Sequence, residues 1–437
     1  MANNRHYDAV IIGSGIIGCC ISFELTKLGY KTLTVDKLSG AGMGSTGASC
    51  AVIRFHYSTL EGVAMAREGY YYWLDWLKYL ETKDPQGMAT YRNTGALVIK
   101  TPLNNNLERV KSSMDQVGVS YIDVAPEDIS RYIPDVDTRS YFPQKWLHDN
   151  AFGEPVDKTI PGAIWVPESG FISDPQLSTH NVQVAAEAKG AAFLYNCAVT
   201  DVLKTSGRVA GVLLSDGSKI SAKVVVNVAG PHSNIVNRMA GVEDSMNIKT
   251  CAMKQEVAHV PAPIGLKWER VGCVISDGDI GCYSRPEVGD HVLIGSEDPE
   301  CDPQLWVEDP DTYDENFTDQ WRCMVMREAM RMSRLEIPNQ HKGVVSLYDV
   351  SDDWMPIYDT SDLAGFYMAV GTSGNQYKNA PVAGVMMARL IDACENGLDH
   401  DASPLSIDLK YTKRRFNIGF FSRNRDINRD SSFSVIG

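Results

Sequence analysis

From Asp8 to Asp36 the chain reads DAVIIGSGIIGCCISFELTKLGYKTLTVD: a short apolar run, a glycine turn, apolar positions at helical spacing, a stop at Gly29 and a second apolar run. That order predicts a strand, a helix and a strand, a βαβ unit. From Gly62 to about Thr82, apolar and aromatic residues again recur at helical spacing and predict a long core helix, its aromatics serving packing. Residues 87 to 164 alternate short apolar runs with Pro- and Asp-rich turns such as Ile133-Pro134-Asp135. A helix is expected from Asn181, then short strands with turns at Ser206-Gly207 and Asp216-Gly217, ending in the apolar run Lys223 to Gly230. Residues 240 to 345 read as strands and turns around one helix near 316 to 334. The last third returns to an apolar strand, FYMAV, a glycine turn and the helical pattern from Pro381 to Gly397.

Nucleotide-binding patterns at both ends of the chain, with a different region between them, predict an α/β fold in two parts. The first is a doubly wound nucleotide-binding domain assembled from residues 1–86, 165–237 and 350–437. The second, 87–164 and 238–349, is a substrate domain on a mixed, largely antiparallel sheet. The tail from Ser403 carries seven Lys/Arg against three Asp, with four phenylalanines, and is expected to be docked rather than loose.

Composition narrows the function. A formal charge of −14 is the wrong balance for a nucleic-acid binder. The ten cysteines form no C-x-x-C pair and no zinc-like Cys/His spacing, so no metal centre is expected and the thiols read as reduced. No run of about 18 apolar residues suggests a transmembrane segment, and the expected location is cytoplasmic.

Gly13-Ser14-Gly15-Ile16-Ile17-Gly18 gives G-x-G-x-x-G between the first strand and the helix, with Asp36 closing the next strand. In that context Gly13 permits the turn, Gly15 lets backbone approach a pyrophosphate, Gly18 packs helix on strand, and Asp36 suits an adenosine ribose. The motif alone does not separate FAD from NAD. The following small-residue run, Gly44, Ser45, Thr46, Ala48, Ser49, Cys50 and Ala51, would let the chain lie against a large flat ligand.

Ser45 to Gly62, STGASCAVIRFHYSTLEG, resembles the segment after the fingerprint in the FAD-dependent amine and amino-acid oxidoreductases, the D-amino-acid oxidase superfamily typified by sarcosine oxidase and glycine oxidase. Within that family it resembles the β subunit of heterotetrameric sarcosine oxidase. Val226 to Pro231, and Gly371-Thr372-Ser373-Gly374 through Lys378 to Pro381, resemble two further motifs of that family, in order. The resemblance implies a glutathione-reductase-like FAD domain and non-covalent FAD, because Ser346 stands where the monomeric oxidase has its flavin-linking cysteine and no histidine lies near Ser173-Asp174-Pro175. It places Lys37, Val199, Ala229 and Gly230 beside the cofactor, with Gly371, Ser373, Gly374, Asn375, Gln376, Tyr377 and Lys378 along the flavin. It assigns Arg54 and Lys378 to a substrate carboxylate and Tyr283 to the pocket. His56 reads as a base, a flavin contact or a structural residue, and His232 as a capping or pyrophosphate-side residue. Leu293 replaces a lysine that promotes reaction with oxygen, so the acceptor is oxygen or an electron-transfer partner.

The activity implied is FAD-dependent oxidation of the C–N bond of a small amino acid, secondary or N-methylated, by hydride transfer and imine hydrolysis. The alternatives are a glycine, D-amino-acid or opine oxidase or dehydrogenase, and a flavoprotein subunit of an electron-transfer complex with partner subunits.

Overall fold

The computed structural model describes residues 5–437. Arg5–Ile12 is the centre of an eight-stranded sheet. It runs parallel to Thr32–Val35 on one side and to Lys219–Asn227 on the other, and the parallel run continues outward to Ala192–Leu194 and Phe366–Val370. Ala9–Ile12, Val224–Val226 and Phe366–Val370 are buried and apolar without alternation because both sheet faces are covered. The meander Val199–Thr205, Arg208–Leu214, Lys219–Asn227 adds antiparallel pairing on the same sheet.

Three helices, Ile16–Lys27, Pro175–Ala188 and Ala380–Glu395, pack together against the sheet. The first and last approach closely because Gly384 faces Cys20: a Cβ at 384 would stand 2.8 Å from the Cys20 Cβ. Pro175–Ala188 starts six residues before the sequence pattern suggests. The Asp174 carboxylate accepts the Leu177 N–H at 2.8 Å, and the polar residues Ser178, Thr179 and Asn181 on its first turns are buried, which hides the helix from a hydropathy reading. The long helix expected over 62–82 is two, Leu60–Leu74 and Trp76–Leu80, broken where Asp75 leaves helical geometry.

The second sheet has nine strands, eight of them in the order 305–307, 250–261, 291–296, 282–287, 274–277, 96–99, 163–166, 122–124, with 343–351 on the other side of 250–261. Only Ala96–Ile99 with Val274–Asp277 is a parallel pair. Ala163–Val166 and Gly343–Ser351 run through the expected boundaries at 164/165 and 349/350, since each strand is held along its length by this sheet. Helix Asp319–Arg331, capped by Thr318, packs on it and buries Trp321. The same helix ends in Arg331, whose fully buried guanidinium bridges Asp277 at 2.6 Å and Asp279 at 2.9 Å.

The tail is docked. Phe416 and Phe421 are buried, Arg423 is enclosed by Asp359, Asp362 and Asp401, and Arg425 forks onto Asp353. All ten cysteines are free. Among the described residues no helix is long and apolar enough to cross a membrane.

Candidate functional site

Between the two sheets lies a cavity of about 870 Å³. All the candidate catalytic and cofactor-binding residues line it except Gly18, Gly371 and Ser373, which lie behind the wall and shape it.

The fingerprint builds one end. Gly13 sits at φ +112°, and a Cβ there would lie 2.4 Å from the Val228 carbonyl oxygen, so any side chain forces the first strand and the strand end at 228 apart. A Cβ at Gly18 would lie 2.1 Å from the Gly13 oxygen, which is the close approach of helix to turn. The helix starting at Ile16 has no side-chain cap at Gly15. Thr46 Oγ1 accepts the Ile16 N–H at 3.2 Å, and the remaining free N–H groups of the first turn present a positive end to the cavity. Asp36 accepts Ser14 N–H and O–H at 2.7 and 2.8 Å through one oxygen and Leu38 N–H at 2.9 Å through the other, which fixes the carboxylate at the cavity edge. These features fit a dinucleotide: a glycine floor, a helix N-terminus for the pyrophosphate and an oriented acid for the ribose. We expect Gly13→Ala to yield protein with little bound flavin, read from the absorbance ratio of flavin to protein; wild-type flavin content would contradict the cradle.

The other end is built by the glycine turn after Phe366–Val370. Gly371 N–H donates to Asp349 Oδ2 at 2.6 Å, Ser373 N–H donates to the Asp349 carbonyl oxygen, and a Cβ at Gly374 would lie 2.3 Å from the Tyr348 ring. Strand Gly343–Ser351 therefore clamps this turn from the second sheet. Asp349 is the anchor that sequence reading missed. It is buried, also accepts the Ser233 hydroxyl, and burial pushes its carboxyl up to about 7. The only signal was its position three residues beyond Ser346, within an acid-rich stretch that reads as a surface turn. Ser45 Oγ ties the small-residue segment to the Leu347 carbonyl, and Ser346 lies in the same wall.

Arg54 and Lys378 stand together in the cavity wall. Both are buried, and both lie over the Tyr57 ring, at 4.4 Å and 4.7 Å from its centroid. Lys378 Nζ donates to the Asn375 carbonyl at 2.9 Å, and burial followed by the neighbouring Arg54 charge holds its pKa well below the usual lysine value. Burial also lowers Arg54. Among the described residues neither cation has a carboxylate within ion-pair distance. Arg54 instead donates to the carbonyls of His56, Val435 and Ile436.

His56 is buried with neither ring nitrogen hydrogen-bonded, and burial, Arg54 and Lys378 hold it well below the normal imidazole range, hence neutral. Tyr283 contacts the Cys50 thiol at 3.6 Å and, through its ring, fills the space that Gly295 leaves open. His232 does not cap helix Ser233–Ala240 with its side chain; its Nε2 meets Lys37 Nζ and Asp311 at the mouth of the cavity. Leu293 sits on the strand His291–Ser296 opposite His259 and Arg285.

A parallel sheet with a glycine turn at a helix N-terminus, and a cavity that runs from it to a second sheet past two buried cations, Arg54 and Lys378, defines a dinucleotide-dependent oxidoreductase. The chain belongs to the FAD dependent oxidoreductase (DAO) family, whose profile matches residues 8–390, and it is an FAD-dependent enzyme. It is 24% identical to sarcosine oxidase subunit beta of Rhodobacter capsulatus over 402 residues, covering 89% of this chain and 85% of that one. To glycine oxidase of Geobacillus kaustophilus it is 21% identical, covering 90% and 95%. The structure of that glycine oxidase superposes with a TM-score of 0.73 at 19% identity, covering 97% of this chain and 100% of that one. The structure of L-proline dehydrogenase from P. horikoshii gives 0.75 at 20% identity, covering 96% and 97%.

Proposed function

We propose that this chain oxidises the C–N bond of a small amino acid, a secondary or N-methylated one, with Arg54 and Lys378 holding the substrate carboxylate. The observation that carries the reading is the pair of buried cations on one cavity wall, neither of which, among the described residues, is ion-paired with a carboxylate of the protein. Two desolvated cations call for an anion, and arginine offers a carboxylate a planar fork. The secondary-amine preference is supported by the similarity to a sarcosine oxidase subunit. In this reading the first sheet and its helices carry FAD and the second sheet closes the substrate side.

Bound non-covalently, FAD supplies the hydride acceptor. The chain supplies position and charge. Arg54 and Lys378 fix the carboxylate, so the adjacent carbon and nitrogen are held in one orientation. Their positive potential also lowers the pKa of the substrate amine, favouring the neutral form whose lone pair assists departure of the hydride. His56 stays neutral and adds no third cation beside the amine. The imine formed from the substrate is hydrolysed by water after it leaves the pocket.

The reading is tested by kcat/KM on a panel of sarcosine, other N-methyl amino acids, proline, glycine and D-amino acids. The secondary amines should lead; a lead of tenfold or more by glycine or a D-amino acid would replace the substrate assignment. The similarity to a subunit also favours partner subunits as a second reading, which a homogeneous, fully active single chain would end. The tail gives no support to that second reading, because Arg423 and Arg425 are spent on carboxylates of this chain.

Lys378 makes a further expectation sharp. A carboxylate seated beside it favours the ammonium form, so binding takes up a proton wherever the ligand-free amine is neutral. The dissociation constant of a simple carboxylate such as benzoate should rise with pH above the depressed Lys378 pKa, by up to about tenfold per pH unit. In Lys378→Met this slope should vanish; a slope that survives would remove Lys378 from the seat.

A further inference from the structure

The groups of Arg54 that face the cavity are not free. One terminal nitrogen donates to the Val435 and Ile436 carbonyls, both at 2.8 Å, and the other to the His56 carbonyl. Ser58 completes the attachment, its hydroxyl and its N–H donating to the Gly437 main-chain oxygen at 2.6 and 3.0 Å. Val435 is buried in a cluster with Met253, Val350 and Trp354, and Ile436 packs against that cluster. Val435 and Ile436 line the same cavity as Lys378. Peptide carbonyls of the chain itself thus sit on the arginine that the proposed function gives to the substrate carboxylate.

The attachment is built so that it can let go. Arg425 is fixed by its fork onto Asp353 at 2.8 and 2.7 Å, and Arg423 by three aspartates. Between that clamp and the buried Ser434, the residues from Asp426 to Phe433 are largely exposed, and the one ion pair there, Arg109 with Asp430, is open to solvent. A carboxylate is a stronger acceptor for a guanidinium than a neutral carbonyl, because both partners are charged.

We propose that residues Ser431–Gly437 are a resident competitor for the substrate's carboxylate seat: they occupy Arg54 in the ligand-free enzyme and swing out on the 426–430 linker when a carboxylate binds. This rests on Arg54 being that seat. Apparent affinity is then the intrinsic affinity scaled by the fraction of molecules with the segment displaced. Anything that loosens the segment tightens carboxylate binding.

The test is calorimetric titration of the holoenzyme with benzoate, comparing the intact chain with a deletion of residues 431–437, with Ser58→Ala and with Gly437→Ile. Gly437 has φ +81°, and a Cβ there would lie 2.7 Å from Tyr57 Cε1, so isoleucine cannot stay seated. The clamp at Arg423 and Arg425 is intact in all three. The expected result is a benzoate dissociation constant lower by about tenfold or more in the deletion and in Gly437→Ile, and lower by a smaller factor in Ser58→Ala. The gain should disappear when Arg54→Ala is added. Binding that depends on Arg54 yet is unchanged or weaker in the deletion overturns the competitor and leaves the seat standing. Binding that never depends on Arg54, in any of these proteins, overturns both.

Discussion

Arg54→Ala should lower kcat/KM on a carboxylated substrate by about 10²- to 10⁴-fold, since removing one partner of a buried, hydrogen-bonded charge pair costs roughly 3–5 kcal/mol. The loss falls on a residue that also holds the backbone at His56, Val435 and Ile436. Flavin content and melting temperature must therefore be measured beside the kinetics. Arg54→Lys separates charge from geometry. It restores the charge without the fork, and should recover only part of the activity. Full activity of Arg54→Ala on every carboxylated amine would remove the anchor.

The largest effect on stability is expected away from the cavity, at Arg331. Its side chain has no solvent exposure and joins Asp277 to Asp279, with further donation to the carbonyls of Asp137 and Arg139. Burial pushes the Asp277 carboxyl up, and Arg331 opposes that shift. Arg331→Met leaves two buried acids facing each other without a cation. The cost is about 3–5 kcal/mol, enough to lower the melting temperature by several degrees and to shed soluble protein. Adding Asp277→Asn and Asp279→Asn should recover much of the loss, because the penalty lies in the unpaired charges rather than in the missing packing. A triple variant no more stable than Arg331→Met would place the cause elsewhere.

The sequence carried the first sheet well because its signals are local. Asp8 to Asp36 alternates strand, glycine turn and helix within one window, and two of its glycines have a steric reason in the fold: Gly13 against Val228, Gly18 against Gly13. The arginine and lysine were legible only through resemblance, since nothing in the spacing of residues 54 and 378 says that both lie over one tyrosine ring. Helix Pro175–Ala188 was cut short because its early polar residues are buried through tertiary hydrogen bonds, as when Asn181 Nδ2 donates to Asp84 and its Oδ1 accepts the Ala89 N–H. Asp349 and the segment at 434–437 escaped for a related reason. An acid among acids and a short Ser/Val/Ile stretch look like surface until a distant strand and a distant arginine are brought beside them.

The central claim is that FAD in this cavity takes a hydride from an amino acid held by Arg54 and Lys378. It is tested most directly by mixing the purified holoenzyme anaerobically with sarcosine, N-methyl amino acids, proline, glycine and D-amino acids and following the long-wavelength flavin absorbance. The account predicts bleaching by a secondary amino acid, with bleaching slowed by at least about 10²-fold in Arg54→Ala. A flavin that no carboxylated amine bleaches, or one bleached equally well in Arg54→Ala, would contradict it.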